Sequence, residues 1–78
     1  MEEKIKKKIE ELWEKIEFEL ERFEECYSGF KEFLKERNLG GAHLDICFAV
    51  MHLRNVEEAL EDIEMLTRLL IEEYENRD

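Results

Sequence analysis

The sequence has no proline and no glutamine, contains only two cysteines, and has no long apolar run. Two cysteines are too few for the disulfide framework of a small secreted domain, so we expect Cys26 and Cys47 to remain free thiols in a cytoplasmic protein. No stretch approaches the roughly 18 apolar residues of a membrane span, and the first residues alternate charge with single apolar positions, unlike a signal peptide. The absence of proline and glutamine beside abundant Glu and Lys is typical of proteins from hot environments. Together these shortages predict a soluble protein of thermophile-like composition.

Basic residues are also in short supply. The chain has 12 basic and 22 acidic residues, and residues 42–78 carry −7 of the net charge of −10. Because affinity for nucleic-acid phosphates comes from Lys and Arg, direct contact with DNA or RNA is disfavoured, and only the basic run at residues 4–8 argues for it. A chain of 78 residues is one domain, and a core of that size rarely contributes more than about 3 to 5 kcal/mol without association or other support.

The first half of the chain follows a seven-residue repeat. Its central row of apolar residues is Ile9, Ile16, Phe23 and Phe30. The two flanking rows are Ile5, Leu12, Cys26 and Phe33 on one side, and Trp13, Leu20, Tyr27 and Leu34 on the other. The three rows form a stripe about 100° wide, as expected of a core-facing helix. They predict one helix over about residues 2–37, which Ser28 and Gly29 do not interrupt because the repeat keeps its phase across them.

The sequence "NLGG" at residues 38–41 predicts the end of this helix, because glycine readily takes the left-handed conformation that closes helices. A second helix is predicted over about residues 42–76. Its central row is Ala49, Val56, Ile63 and Leu70, with flanking rows Leu53, Leu60, Thr67 and Tyr74, and His52, Ala59 and Leu66. Two helices of similar length joined by a short loop predict a single all-α domain over residues 1–78, an antiparallel two-helix hairpin.

Charge placement favours the same hairpin. The basic run at residues 4–8 lies at the N-terminus of the first helix, where the helix dipole disfavours positive charge. The C-terminus of the second helix, where the dipole disfavours negative charge, carries four acidic residues: Glu72, Glu73, Glu75 and Asp78. With the turn near residue 40, position i would face position 80 − i, which pairs Lys7 with Glu73 and Lys8 with Glu72. We therefore favour cross-helix neutralisation over a nucleic-acid patch as the use of the lysines.

The stretch "ICFAVMHL" at residues 46–53 carries no charge and is apolar on all sides of its helix. A helix that is apolar all round is buried all round, yet a two-helix hairpin covers only one side of it. We expect a second copy of the chain to supply the cover, with the oligomer interface at Cys47, Phe48, Val50 and Met51. The result would be a homodimer or higher oligomer, a four-helix bundle whose layout is similar to the Rop-type dimer of helical hairpins. No motif supports a closer relationship, and we assign no family.

Groups that could carry chemistry are few. Neither His43 nor His52 has a glutamate three residues before it, as a di-iron bundle requires. Carboxylates at helical spacing in residues 57–64 leave a metal-dependent carboxylate enzyme as a weak alternative. Glu19 falls in a flanking core row, where we expect its carboxylate to turn to water while Leu20 fills the inside. We predict no catalytic residue, no metal and no cofactor, and we do not expect an enzyme.

Apolar residues outside the stripes predict a binding site. Phe18 lies opposite the stripe among glutamates, and the 80 − i register would place it about one turn from Met65, with Leu69 nearby. We expect these three residues, rimmed by Glu14, Glu17 and Glu21, to bind a basic protein partner. The preferred function is a small acidic homo-oligomeric adaptor or regulator that acts through protein contacts. The alternative is an acidic inhibitor that occupies the basic nucleic-acid-binding site of another protein.

Overall fold

The computed structural model describes residues 1–76 and contains two α-helices, α1 (Glu2–Lys35) and α2 (Leu39–Glu75). They lie antiparallel in a hairpin that measures 64 × 14 × 12 Å. The predicted all-α hairpin is confirmed, and α1 runs without interruption through Ser28 and Gly29. No helix within residues 1–76 combines the length and the apolar character needed to cross a lipid bilayer.

The turn between the helices is closed by an arginine, where the sequence predicted a glycine. The backbone N–H of Asn38 donates to the carbonyl of Phe33 at 2.9 Å, and that of Arg37 donates to the carbonyl of Leu34 at 3.1 Å. This is the hydrogen-bond pattern of a Schellman motif, whose left-handed residue here is Arg37, with φ of 60°. The expectation that Gly40 or Gly41 takes this conformation is wrong, since both are helical and neither has a positive φ.

Asn38 moves the start of α2 three residues earlier than predicted. Its side-chain carbonyl accepts a hydrogen bond from the backbone N–H of Gly41 at 3.0 Å, and its backbone carbonyl accepts from Ala42 at 3.0 Å. An asparagine N-cap satisfies donors that a helix start otherwise leaves unpaired, so α2 begins at Leu39. Gly41 has a packing role as well, because a Cβ there would lie 2.9 Å from the ring of Phe33.

Because the turn is centred on residue 37, the register differs from the predicted one. The pairs that meet across the hairpin are Glu19 with His52, Gly29 with Asp45, and Phe33 with Gly41. Position i therefore faces roughly position 74 − i, and the 80 − i rule is wrong by about six residues.

The predicted pairs Lys7 with Glu73 and Lys8 with Glu72 are consequently offset by roughly 9 Å along the helix axes. The lysines instead make ion pairs within α1, Lys6 with Glu2 at 3.8 Å and Lys8 with Glu11 at 3.9 Å. Asp78, the last acidic residue of the predicted pairing, lies outside the described residues.

Residues at helical spacing on both helices line the contact between them, which we call the seam. Its buried residues are Ile9, Leu12 and Glu19 from α1, and Ala42, Ala49, Val56 and Ala59 from α2. The central rows predicted for both helices point into it. Within residues 1–76 no large side chain is fully buried, and the least exposed residues are Ala49 and Ala59. At the alanines of α2 the seam brings the helices close together, and larger side chains of α1 pack against them.

Candidate functional site

A large apolar surface lies beside the seam, and it consists of two rows that the sequence assigned to the core. The rows are Trp13, Leu20, Tyr27 and Leu34 on α1, and Leu53, Leu60, Thr67 and Tyr74 on α2. The four α1 residues are 40–56% exposed, and Leu53 and Leu60 are 43% and 53% exposed. Their expected burial within the hairpin is therefore wrong, because two helices enclose only the rows that face each other. We call the two rows the open face.

Both rows lie on the same side of the hairpin. Each follows a seam row by one residue, as Trp13 follows Leu12 and Leu60 follows Ala59. Moving one residue along a helix turns the side-chain direction by 100°, always in the same sense relative to the direction of the chain. When two antiparallel helices face each other, this turn away from the seam leads to the same side of the hairpin on both helices. A groove lined by Ile9, Trp13 and Thr67 contains members of both rows and agrees with this placement. The open face is therefore one continuous surface along the hairpin.

The solvent-accessible surface of the hairpin is larger than that of a compact protein of the same mass. The chain exposes 6380 Å², whereas a compact monomer of its mass, 9.5 kDa, exposes roughly 5000 Å². The excess exceeds the roughly 800 Å² that each partner of a standard protein interface buries. The surface is thus large enough to supply a stable interface.

Aromatic rings link the seam to the open face. The ring of Tyr27 stacks on Phe23 at 5.9 Å and on Phe30 at 6.3 Å between centroids, and Lys31 lies 5.0 Å above it. Phe23 and Phe30 belong to the seam side of α1, so they hold Tyr27 in place. One part of the open face is consequently ordered by contacts within the hairpin.

A buried polar pair crosses the seam at its middle. Nδ1 of His52 lies 2.5 Å from Oε2 of Glu19, and both side chains are mostly buried. The sequence-based expectation for Glu19 is wrong: its carboxylate points into the seam, and Leu20 is the residue that remains 40% exposed. His52 makes the difference, because a carboxylate with a hydrogen-bonding partner can be buried at a much lower cost than a lone one.

The surroundings of Glu19 favour its charged form. The hydrogen bond from His52 lowers the pKa of Glu19 most, and its burial, which acts in the opposite direction, is outweighed. A hydrogen bond from Asn55 and the positive charges of His52 and Lys15 lower the pKa further. Glu19 is therefore a carboxylate in the folded protein at neutral pH.

The residues predicted as an oligomer interface all lie on the surface of α2. Phe48, Val50 and Met51 are each 44% exposed, and Cys47 is exposed as well. Sγ of Cys47 lies 3.5 Å from Nε2 of His43, one helical turn earlier. The structure thus leaves this predicted surface accessible and adds a thiol–imidazole contact to it.

The two cysteines are free, as predicted. In the corrected register Cys26 and Cys47 lie at nearly the same level of the hairpin. Cys26 sits partly buried in the seam, whereas Cys47 is exposed on the outer side of α2. Burial is the main cause that raises the pKa of Cys26, and the charges of Asp45 and Glu25 raise it further, so its thiol stays protonated.

The predicted partner-binding residues do not form one patch. Phe18, Met65 and Leu69 are 53%, 60% and 44% exposed, on the side opposite the open face. The corrected register places Phe18 level with about residue 56, so Met65 is roughly 13 Å away along the axis. Phe18 also has a partner within α1, since the guanidinium of Arg22 lies 5.1 Å from its ring centroid.

The acidic residues form exposed surfaces without a closed site. Glu14, Glu17 and Glu21 are exposed on α1, and a shallow groove on α2 is lined by Arg54, Glu57, Glu58 and Glu61. In the part of the chain that the structure describes, no three His, Cys, Asp or Glu side chains are grouped so that they could hold a metal ion. Comparison with protein-family models, with curated proteins and with solved structures finds no match to this chain.

Proposed function

We propose that the chain is a homodimeric four-helix bundle that acts through protein contacts, as an adaptor or regulator. The observation that carries the proposal is the open face, where large apolar side chains of both helices stand exposed on one side of the hairpin. A stable domain normally has at least two packed layers around one core, and a hairpin is a single layer. A second copy provides a layer of the same length with a matching apolar surface.

Dimerisation through the open face would complete the core that the seam lacks. Trp13, Leu20 and Leu60 would then be buried between two hairpins, with the apolar area of each contributing about 25 cal/mol per Å². Each helix would use three neighbouring rows for packing, as helices in four-helix bundles do. Of the predicted interface residues, Val50 follows the seam residue Ala49 and lies on the open-face side, whereas Cys47, Phe48 and Met51 would stay accessible for a further contact between copies.

Thermal or urea unfolding over a range of chain concentrations tests the dimer. If folding and association are coupled, each tenfold rise in concentration adds about 1.4 kcal/mol to the stability of the dimer, and the unfolding midpoint rises accordingly. A midpoint that does not change between low micromolar and high micromolar concentration would refute the coupling. Circular dichroism at 222 nm measures the loss of helix in both the thermal and the urea experiments.

Partner binding is proposed for the side opposite the open face. Phe18, Met65 and Leu69 remain exposed there after dimerisation, and Glu14, Glu17 and Glu21 would attract a basic protein. Phe18 is held by Arg22, a contact worth about 0.5 to 1 kcal/mol at an exposed site, so a partner has to compete with it. Free thiols in accessible and partly buried positions suit a reducing compartment, which supports a cytoplasmic location as part of the proposal.

Two variants separate the adaptor from the acidic inhibitor. Partners captured from a lysate of the source cells are compared for the parent chain, for Phe18→Ala, and for Lys substitutions at Glu14, Glu17 and Glu21. An adaptor loses its partner with Phe18→Ala and keeps it at moderate salt. An inhibitor of a nucleic-acid-binding protein keeps it with Phe18→Ala, loses it on charge reversal, and loses it steeply as salt rises. Retained helix content and retained mass exclude a folding defect.

A further inference from the structure

The contact between His43 and Cys47 has a geometry that suits a metal ion. The two residues are four positions apart on α2, so their side chains project from the same side of the helix one turn apart. Sγ of Cys47 and Nε2 of His43 are separated by 3.5 Å, and both residues are exposed. The pair is therefore open to an ion from solvent, unlike the buried Glu19–His52 pair.

The separation matches what tetrahedral zinc requires. Zinc binds thiolate sulfur at about 2.3 Å and imidazole nitrogen at about 2.0 to 2.1 Å, and the tetrahedral angle then sets the sulfur and the nitrogen roughly 3.5 to 3.6 Å apart. The observed distance lies at this value, so the two donor atoms are already as far apart as an ion bound between them requires. Helical spacing fixes both residues on a rigid element, which keeps the donors in place.

We propose that His43 and Cys47 form a two-ligand site for a zinc-class divalent ion on the outer side of α2. Thiolate and imidazole are the donors that borderline-soft ions such as Zn²⁺ prefer, and hard ions such as Mg²⁺ and Ca²⁺ select oxygen instead. The thiol of Cys47 gives its proton to the buffer as the sulfur–metal bond forms, and His43 binds as the neutral imidazole. Water fills the remaining coordination positions, since the described residues supply no third ligand of the usual types.

This site does not rest on the proposed dimer, because His43 and Cys47 lie on the same helix and neither belongs to the rows of the open face. Each chain carries a complete pair, so one ion per chain is expected whether the chain is a monomer or a dimer. The net charge of −10 attracts cations to the protein in general, and the test must therefore report coordination by sulfur specifically.

Titration with Co²⁺ as a spectroscopic substitute for Zn²⁺ tests the site. Coordination of Co²⁺ by thiolate gives a charge-transfer absorption in the near ultraviolet, which carboxylates do not produce. The parent chain should show this absorption with one equivalent per chain, and excess Zn²⁺ should abolish it. Zn²⁺ should also slow alkylation of Cys47 and release one proton per ion bound at neutral pH.

Matched variants identify the ligands. Cys47→Ser should remove the absorption, whereas Cys26→Ser, which replaces the partly buried thiol, should leave it unchanged. His43→Ala should weaken Co²⁺ binding by about tenfold or more while the helix content stays the same. If the parent shows no charge-transfer band and Zn²⁺ leaves the alkylation rate of Cys47 unchanged, the contact is a thiol–imidazole hydrogen bond only and the proposal is wrong. The same conclusion follows if Cys26→Ser, and not Cys47→Ser, removes the band.

Discussion

The seam and the open face differ in how far their large apolar side chains are covered. In the seam Ile9, Leu12 and Val56 are only 6–8% exposed. On the open face Trp13 and Tyr27 are 56% and 44% exposed. A large apolar surface thus lies outside the contact that forms the hairpin. This difference is the observation on which the proposed dimer rests.

The largest expected effect comes from a charge placed on the open face. Leu20→Glu would bury an unpaired carboxylate in each half of a dimer, which costs several kcal/mol and should leave the chain monomeric and largely unfolded. On a monomeric hairpin the same change at a half-exposed position would cost less than about 0.5 kcal/mol. Urea unfolding together with the molar mass measures the outcome.

Met65→Glu is the matched control for this substitution. Met65 is 60% exposed and lies on the side opposite the open face, so its replacement should change neither mass nor stability. Equal loss of stability in both variants, or no loss in either, would remove the distinction between the two sides.

A smaller loss is expected within the seam. His52→Ala leaves the Glu19 carboxylate mostly buried and without its main partner, which should cost about 2 to 3 kcal/mol. Replacing both residues by leucine should restore most of the stability, because a well-packed apolar pair can be as good as a buried polar one. Thermal unfolding at constant concentration compares the three chains, and a stable His52→Ala variant would contradict the role given to the pair.

Acid should weaken the seam through Glu19. Its pKa in the folded protein is lowered from the ordinary value of 4.5, so the folded state favours the carboxylate. The resulting stabilisation is fully present above about pH 4.5 and is lost as the pH falls through the lowered pKa. The free energy of unfolding of the parent should therefore fall more steeply below pH 4.5 than that of Glu19→Gln, which has no charge to lose. Parallel curves for the two chains would show that Glu19 does not contribute.

The smallest expected change is at the turn, which belongs to neither surface. Arg37 has a φ of 60°, a conformation that costs most residues about 1 kcal/mol and glycine almost nothing. Arg37→Gly should therefore raise the free energy of unfolding by about 0.5 to 1 kcal/mol without changing mass or partner binding. A destabilised variant would indicate that the arginine side chain makes a contact that outweighs this strain.

The seven-residue rows of apolar residues were sufficient to predict two helices and their antiparallel pairing. The register could not be obtained in the same way, since it depends on where the turn is centred. The two glycines at residues 40 and 41 suggested a turn there, whereas Arg37 and Asn38 close it three residues earlier. The hydrogen bonds of the turn hold Arg37 in a left-handed conformation that arginine does not favour on its own. Each residue by which the centre of the turn moves changes the pairing between the helices by two residues.

The functional groups were predicted less well than the helices. Glu19 was expected at the surface because its partner could be found only with the correct register, which brings it to His52. His43 and Cys47 are visible in the sequence as a four-residue spacing, but the contact between their side chains depends on the rotamers that both adopt, which the sequence does not give. The open face was assigned to the core because periodicity defines the width of an apolar stripe and does not show how many helices cover it.

The central claim is that two hairpins pack through the open face, and the molar mass in solution tests it most directly. Light scattering coupled to size-exclusion chromatography at micromolar concentration should give about twice the chain mass of 9.5 kDa for the parent and for Met65→Glu. It should give the mass of one chain for Leu20→Glu. A parent chain that is fully helical at 9.5 kDa and unfolds cooperatively as a monomer would contradict the account.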